Sequence, residues 1–212
     1  MTNVFKRPEK KSRKSELFAF AVKALEDAGY TVERIERAGK GSVRKIIKDG
    51  KSQVATIRTS QDAWIAFPRN RQDTGWKTLE GADVVVAASV DDKINPRYAK
   101  IHLIPAKEMT ARFDRARDKK LKAGHVVPKN RGVWLSLYNE EAQEPVNLVG
   151  AGAGLKFPPI ATFPLNGALS ALTPVRSIME PPNERFTIAD AKRKLSAFYG
   201  VPEEAITISI TH

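Results

Sequence analysis

The sequence predicts an α/β (α+β) chain in which strands form a central sheet and helices pack beside it. Three observations carry this. Asp49-Gly50 sits between VRKIIK (43–48) and SQVATIR (52–58), which is the turn chemistry of an antiparallel hairpin. ADVVVAASV (82–90) is an unbroken apolar run, the mark of a strand buried on both faces. One stretch, 15–29, repeats apolar residues on a helical face and ends in glycine, and a second, 108–124, interleaves acids and bases at helical spacing and is closed by Gly124.

The first helix is expected to open at Ser15 as N-cap. It carries Leu17, Phe18, Ala21, Val22 and Leu25 on one face and stops at Gly29. YTVERIE (30–36) follows as a strand, then the glycine-containing loop RAGKGS (37–42) and the hairpin. After Ser60-Gln61-Asp62, a turn, AWIAF (63–67) is the next strand. PRNRQDTGWKTLEG (68–81) reads as a polar loop around Trp76. Asp91, Asp92, Asn95 and Pro96 form a turn that leads to the strand YAKIHLIPA (98–106). EMTARFDRARDKKLKAG (108–124) is the second helix, and GVWLSLY (132–138) the last strand of the main domain.

Beyond residue 138 the texture changes. Residues 139–185 are rich in Pro, Gly and Ala and read as a linker or an arm that wraps a surface. Leu155, Phe157, Ile160, Phe163, Leu165 and Leu169 are too apolar for a free linker, so the arm is expected to pack on its own domain or on a second subunit. AGAG (151–154) lacks the GK[ST] of a phosphate loop. Residues 186–212 predict a helix, 188–200, and a short strand, 205–210. The expected organisation is a basic flexible tail (1–14), an α/β domain (15–138), the arm (139–185) and the C-terminal helix–strand unit (186–212).

The chain has 212 residues, 42% hydrophobic and 28% charged, enough for a sizeable core. It has no cysteine, so disulfides, thiolate metal sites and a cysteine nucleophile are excluded. No apolar run approaches the roughly 20 residues of a membrane span, and the charged N-terminus does not read as a signal peptide. These features predict a soluble, cytoplasmic protein of bacterial style with no membrane partner. The formal net charge is +12, which attracts polyanions over about 8 Å at physiological salt. Lys6, Arg7, Lys10, Lys11, Arg13 and Lys14 stand against Glu9 alone in the tail. A second group, Arg112, Arg115, Arg117, Lys119, Lys120 and Lys122, is interleaved with Asp114 and Asp118, so part of it reads as ordinary pairing on a solvated helix.

The order helix, strand, hairpin, long loop, apolar strand, strand ending in IPA resembles the restriction-endonuclease-like PD-(D/E)xK superfamily, in particular its resolvase-like and homing-endonuclease-like branches. The matching pieces are the opening helix with Glu16, GYTVERI (29–35), VRKIIKDGKSQVATIRTS (43–60), LEGADVVVAASVDDK (79–93) and KIHLIPAKEM (100–109), about half the chain. The resemblance implies a central mixed sheet flanked by helices. It also implies magnesium held by an aspartate on the second strand and an acidic or amide residue on the third, with a lysine two residues on. Here Thr56 stands at the ligand position and Arg58 at the lysine position, while residues 43–48 contain no acid. Arginine binds phosphate but does not exchange protons. Glu16 would be the acid carried by the helix, and Asp62, Asp73 or Asp83 could rebuild a displaced site.

The leading expectation is therefore a nucleic-acid-binding protein, with DNA favoured, on a catalytically degenerate nuclease-like scaffold. Lys45, Arg58, Arg69 and Arg71 would line the former cleft, Trp76 would contact the nucleic acid, and Lys10, Lys11, Arg13 and Lys14 would form a supporting arm. Trp64 and Trp134 are expected in the core, and His102 as a satisfied sheet residue. One alternative is an active magnesium-dependent endonuclease with a displaced site, for which Glu16 and Asp62 are the weak catalytic candidates. The other is an assembly protein that joins subunits or a protein partner through 155–172 and 186–212.

Overall fold

The computed structural model describes residues 8–35, 41–127 and 131–165, together with 192, 193, 196 and 202–207. The chain divides into two compact units, Met1–Ser177 and Ile178–His212. Of the second unit, Lys192, Arg193 and Ser196 are helical, Glu203–Ala205 is a 3-10 turn, and Ile206 and Thr207 are not in a strand. The remainder of the predicted helix and strand lies outside the described residues, as do residues 166–185 of the arm.

The first unit is α+β. Helix α1 (Pro8–Asp27) is followed by β1 (Thr31–Arg34), β2 (Val43–Lys48), β3 (Lys51–Ser60), β4 (Trp64–Pro68), β5 (Val84–Val90) and β6 (Tyr98–Pro105). Then come α2 (Ala106–Lys122), β7 (Gly132–Ser136), the short α3 (Ala153–Lys156) and β8 (Pro159–Pro164). Six strands form a mixed sheet in the order β1-β2-β3-β5-β6-β8. β3 and β5 are parallel, and every other neighbouring pair is antiparallel. None of the helices among the described residues is long and apolar enough to cross a membrane.

The local signals act as their chemistry requires. Asp49 and Gly50 take φ of 50° and 73°, the left-handed pair of a tight hairpin, with Lys48 directly opposite Lys51. At the end of α1, Tyr30 N–H donates to Leu25 O and Gly29 N–H to Glu26 O, both at 2.9 Å. This Schellman cap needs the left-handed Gly29. All seven residues of β5 are buried, because α1 covers one face of the sheet and α2 the other.

Two cores result. On one face Leu17, Phe20 and Leu25 of α1 pack on Ile46, Ile57, Val86, Ile101 and Phe163, with Phe20 and Phe163 stacked at 4.8 Å. Burying each such side chain contributes about 1.5–3 kcal/mol, and Phe20→Ala would remove roughly 3–5 kcal/mol. On the other face Phe67, Trp76, Val85, Ile104, Met109, Phe113 and Leu135 form the second core.

Several expectations are corrected. Residues 8–14 are helical rather than a flexible tail, and Ser15 lies inside α1. Pro8 is suited to the first helical position, Glu9 to the first turn, and nothing between them and Ser15 breaks a helix. β4 and β7 leave the main sheet to form a two-stranded ribbon. The turn through Ala63, with φ of 62°, redirects the chain there. Trp134 points outward from this ribbon and is 50% exposed, not core, while Trp64 is half-buried. The domain also continues past residue 138. Arg112 donates to the carbonyls of Gly150 and Ala151, and β8 extends the main sheet beside β6. Phe163 and Leu165 are buried in their own domain, so within 139–165 the arm packs at home.

Candidate nucleic-acid interface

A strand presents alternate residues to opposite faces. On β3, Ala55 and Ile57 join the core under α1, so Thr56 and Arg58 face the other way. Cross-strand partners share a face, which sets Val43 beside Thr56 and Lys45 beside Val54. The loop between β4 and β5 rises along this surface. Together they enclose an open groove of about 470 Å³, lined by Val43, Val54 and Ala82 as apolar floor and by Asn70, Arg71, Gln72, Lys77, Thr78 and Glu80 as polar wall.

Arg58 is fixed beside Thr78, which lines this groove. Its guanidinium lies over the Phe67 ring at 4.4 Å. Nη2 donates to Thr78 Oγ1 and, at 3.5 Å, to Lys77 O. Burial lowers its pKa from the usual arginine value. Thr78 has φ of 65°, an outlier for a β-branched residue, and the Arg58 hydrogen bond helps to hold it there. Two buried polar atoms on this face have no hydrogen-bond partner, Thr56 Oγ1 and Arg58 Nε. Asn70 organises the wall: its Oδ1 accepts from Thr74 N–H at 2.9 Å, and its Nδ2 donates to Thr74 Oγ1 at 2.9 Å and Glu80 Oε2 at 3.4 Å.

Of the residues anticipated as nucleic-acid contacts, Arg71 lines the groove, while Lys45 and Arg58 lie on the same face of β2 and β3 without lining it. Arg71 is exposed, and Lys45 is half-exposed with Nζ 3.1 Å from Glu33 Oε2. Arg69 and Trp76 are buried and do not line the groove. Trp76 is 2% exposed, and its indole N–H donates to Asp114 Oδ1 at 2.8 Å. Arg69 is buried against the Trp76 ring, with Nε 2.6 Å from Asp73 Oδ1. The loop folds these two inward because an indole and a paired guanidinium complete the second core. Lys10, Lys11, Arg13 and Lys14 lie on α1. Arg13 Nε is 3.6 Å from Glu16 Oε2, Lys14 is exposed, and the Lys10 and Lys11 side chains are outside the described residues. Asn70, Gln72, Thr78 and Glu80 were missed as site residues. Their signal was the polar density of 68–81, which fixes no direction for any one side chain.

Among the described residues the candidate acids each have partners of their own. Asp83 Oδ2 accepts from Val54 N–H at 2.7 Å. Asp62 closes its own turn, accepting from Ser60 Oγ at 3.0 Å and Trp64 N–H at 3.3 Å. Asp73 sits between Arg69 and Arg117, and the Arg69 hydrogen bond above all lowers its pKa from the usual carboxylate value. Glu16 is on α1, across the sheet from Thr56 and Arg58. Among the described residues no group of three His, Asp or Glu side chains could hold a metal ion. The groove wall itself offers one carboxylate, Glu80, beside the amides of Asn70 and Gln72. Comparison with protein-family models, with curated proteins and with solved structures returns no match to the chain.

Proposed function

We propose that the protein binds nucleic acid, with double-stranded DNA as the favoured form, through the groove between β2, β3 and the loop before β5. One observation carries this reading. Arg58 is held by Phe67 and by Thr78, and Thr78 lines a groove whose wall presents Arg71 and Lys77. A positioned guanidinium binds phosphate oxygens in its planar fork. The net charge of +12 supplies the long-range attraction. The order of helix, antiparallel three-strand meander and parallel fourth strand is compatible with the nuclease-like scaffold that the sequence resembles.

The contacts are to the backbone, so binding is weakly sequence-selective and falls with salt. A footprint of about four phosphates weakens roughly 10²-fold between 50 and 200 mM salt. Fluorescence anisotropy with a labelled duplex tests this, with Arg71→Ala expected to weaken binding and reduce the salt slope by about 0.9. Failure of the full chain to bind duplex at low salt would end the reading. Magnesium- or manganese-dependent plasmid cleavage that is lost in Asp83→Ala or Glu80→Ala would replace it with catalysis.

A further inference from the structure

The groove between β2, β3 and the loop before β5 is not uniformly basic, because Glu80 shares its wall with Arg71 and Lys77. Asn70 fixes this acid. Its Nδ2 donates to Thr74 Oγ1 at 2.9 Å and to Glu80 Oε2 at 3.4 Å, while its Oδ1 accepts from Thr74 N–H. Gly75 packs against the same oxygen, since a Cβ there would stand 3.1 Å from Glu80 Oε2. Facing the wall are Val43 and Val54, on one face of β2 and β3, together with Ala82.

A carboxylate repels a phosphate, and an aliphatic floor gives a phosphate no hydrogen bond. Both suit a nucleobase, whose face is apolar and whose edge carries N–H donors. Carboxylate oxygens only accept, and the pair has about four acceptor positions, so Glu80 has capacity beyond the Asn70 bond. The edge that matches two adjacent acceptors is the Watson–Crick edge of guanine, where N1–H stands next to N2–H. Adenine and cytosine set a ring acceptor beside their amino group, and thymine flanks one N–H with two carbonyls. Gln72, in the same wall, can donate its amide N–H to guanine O6. At about 470 Å³ the groove has the size of a small-ligand site.

We propose that the groove is a guanine pocket, filled by an unpaired guanine of the bound nucleic acid, with Glu80 on N1–H and N2–H and Arg71 on a flanking phosphate. In a paired guanine these donors face cytosine, so a fully paired duplex is read through its backbone alone. The strand as the source of the guanine rests on the nucleic-acid reading above, while the pocket itself does not.

Anisotropy titrations of the full chain test this with labelled duplexes of one length that carry a bulged guanine, a bulged thymine or no bulge. The wild type binds the bulged guanine about tenfold more tightly than the bulged thymine, the scale of one good base contact. Glu80→Gln keeps an acceptor for Asn70 but turns a donor toward guanine, and it loses the preference. Gln72→Ala, at an exposed position outside the Asn70 network, reduces the preference several-fold and carries the test if Glu80→Gln does not fold. Equal wild-type affinity for the two bulges overturns the pocket, as does a preference that survives in folded Glu80→Gln. Thermal unfolding with GMP and with UMP, whose base has the thymine edge, separates the sources. If the wild type binds no duplex, the function reading fails. A Tm raised by GMP and not by UMP then keeps the pocket and replaces the strand with a free guanine nucleotide, whereas equal shifts end the pocket too.

Discussion

The guanidinium of Arg58 lies 4.4 Å from the centre of the Phe67 ring, and this contact joins the main sheet to the two-stranded ribbon. It sets a charge against Thr78, a residue of the groove, and a stem in the protein interior. The two roles are separable by substitution. Arg58→Met keeps an unbranched apolar stem on Phe67 but loses the charge and the bond to Thr78. Its stability should fall by about 2 kcal/mol, the scale of one hydrogen bond plus a partly desolvated cation–π contact. Duplex affinity should fall several-fold with a smaller salt slope. Equal affinity of wild type and Arg58→Met in anisotropy titrations would show that the guanidinium does not meet phosphate.

Thr56 is 0% exposed, and its hydroxyl oxygen has no hydrogen-bond partner. A buried unsatisfied hydroxyl is destabilising by about 1–3 kcal/mol. Thr56→Val preserves the β-branched shape and removes the polar atom, so it should stabilise the fold by about 1 kcal/mol. Urea denaturation gives the sign directly. Destabilisation would mean that the hydroxyl has a partner in solution, an ordered water being the plain candidate.

What the sequence made legible was the part governed by local chemistry. Asp49-Gly50, Gly29, Gly124 and the apolar run of β5 each act through backbone geometry or two-sided burial, and each sits in the structure as its residue types dictate. What it hid was direction. Trp76, Trp64 and Trp134 are the same residue in comparable polar or apolar settings. Only tertiary packing decides that the first turns in to Asp114 while the third faces solvent. The β4–β7 ribbon was hidden for the same reason, since AWIAF and GVWLSLY alternate like any sheet strand and the pattern does not name the sheet. At the site, the placing of Thr56 and Arg58 on one face of a strand was visible. The wall of Asn70, Gln72, Thr78 and Glu80 was not, because a polar loop has no periodicity from which to read a face.

The same contrast among tryptophans has an optical consequence. Trp134 is 50% exposed, whereas Trp76 is 2% exposed. Acrylamide quenching of the wild-type emission should drop sharply in Trp134→Phe. Trp76→Phe should leave the quenching nearly intact but lower stability by about 1 kcal/mol, through loss of the bond to Asp114. Quenching that follows Trp76 instead would contradict the inward placement of the loop.

Gly150 has φ of 81°, and a Cβ there would lie 2.5 Å from the carbonyl oxygen of Arg112. The close approach has a purpose, since the Arg112 guanidinium binds the carbonyls of Gly150 and Ala151 while its Nε lies 2.9 Å from Glu108 Oε1. Gly150→Ala combines the left-handed penalty of about 1 kcal/mol with a backbone clash of about 1–3 kcal/mol. A loss of at least 2 kcal/mol is expected in chemical denaturation. A smaller loss would mean that the 139–165 segment shifts readily against α2.

His102 supplies the pH dependence. It is 1% exposed, with Nδ1 2.7 Å from Phe157 O and Nε2 2.9 Å from Tyr138 Oη. A carbonyl only accepts, so Nδ1 carries the proton and the neutral ring accepts from the Tyr138 hydroxyl through Nε2. Burial lowers the His102 pKa from its usual value, and the charge of Lys100 adds to this against the opposing Phe157 hydrogen bond. Burial likewise pushes the Tyr138 phenol up to about 12, so it remains a donor throughout the neutral range. As pH falls through about 6.5, the unfolded chain takes up a proton that the folded ring refuses. Stability therefore declines below that pH, by up to about 1.4 kcal/mol per unit until the folded ring also titrates, and this group adds no pH dependence above it. His102→Asn retains a donor toward Phe157 but cannot protonate, so its urea midpoint should fall less than that of the wild type between pH 7.5 and 5.5. Parallel declines in the two proteins would place the acid sensitivity elsewhere.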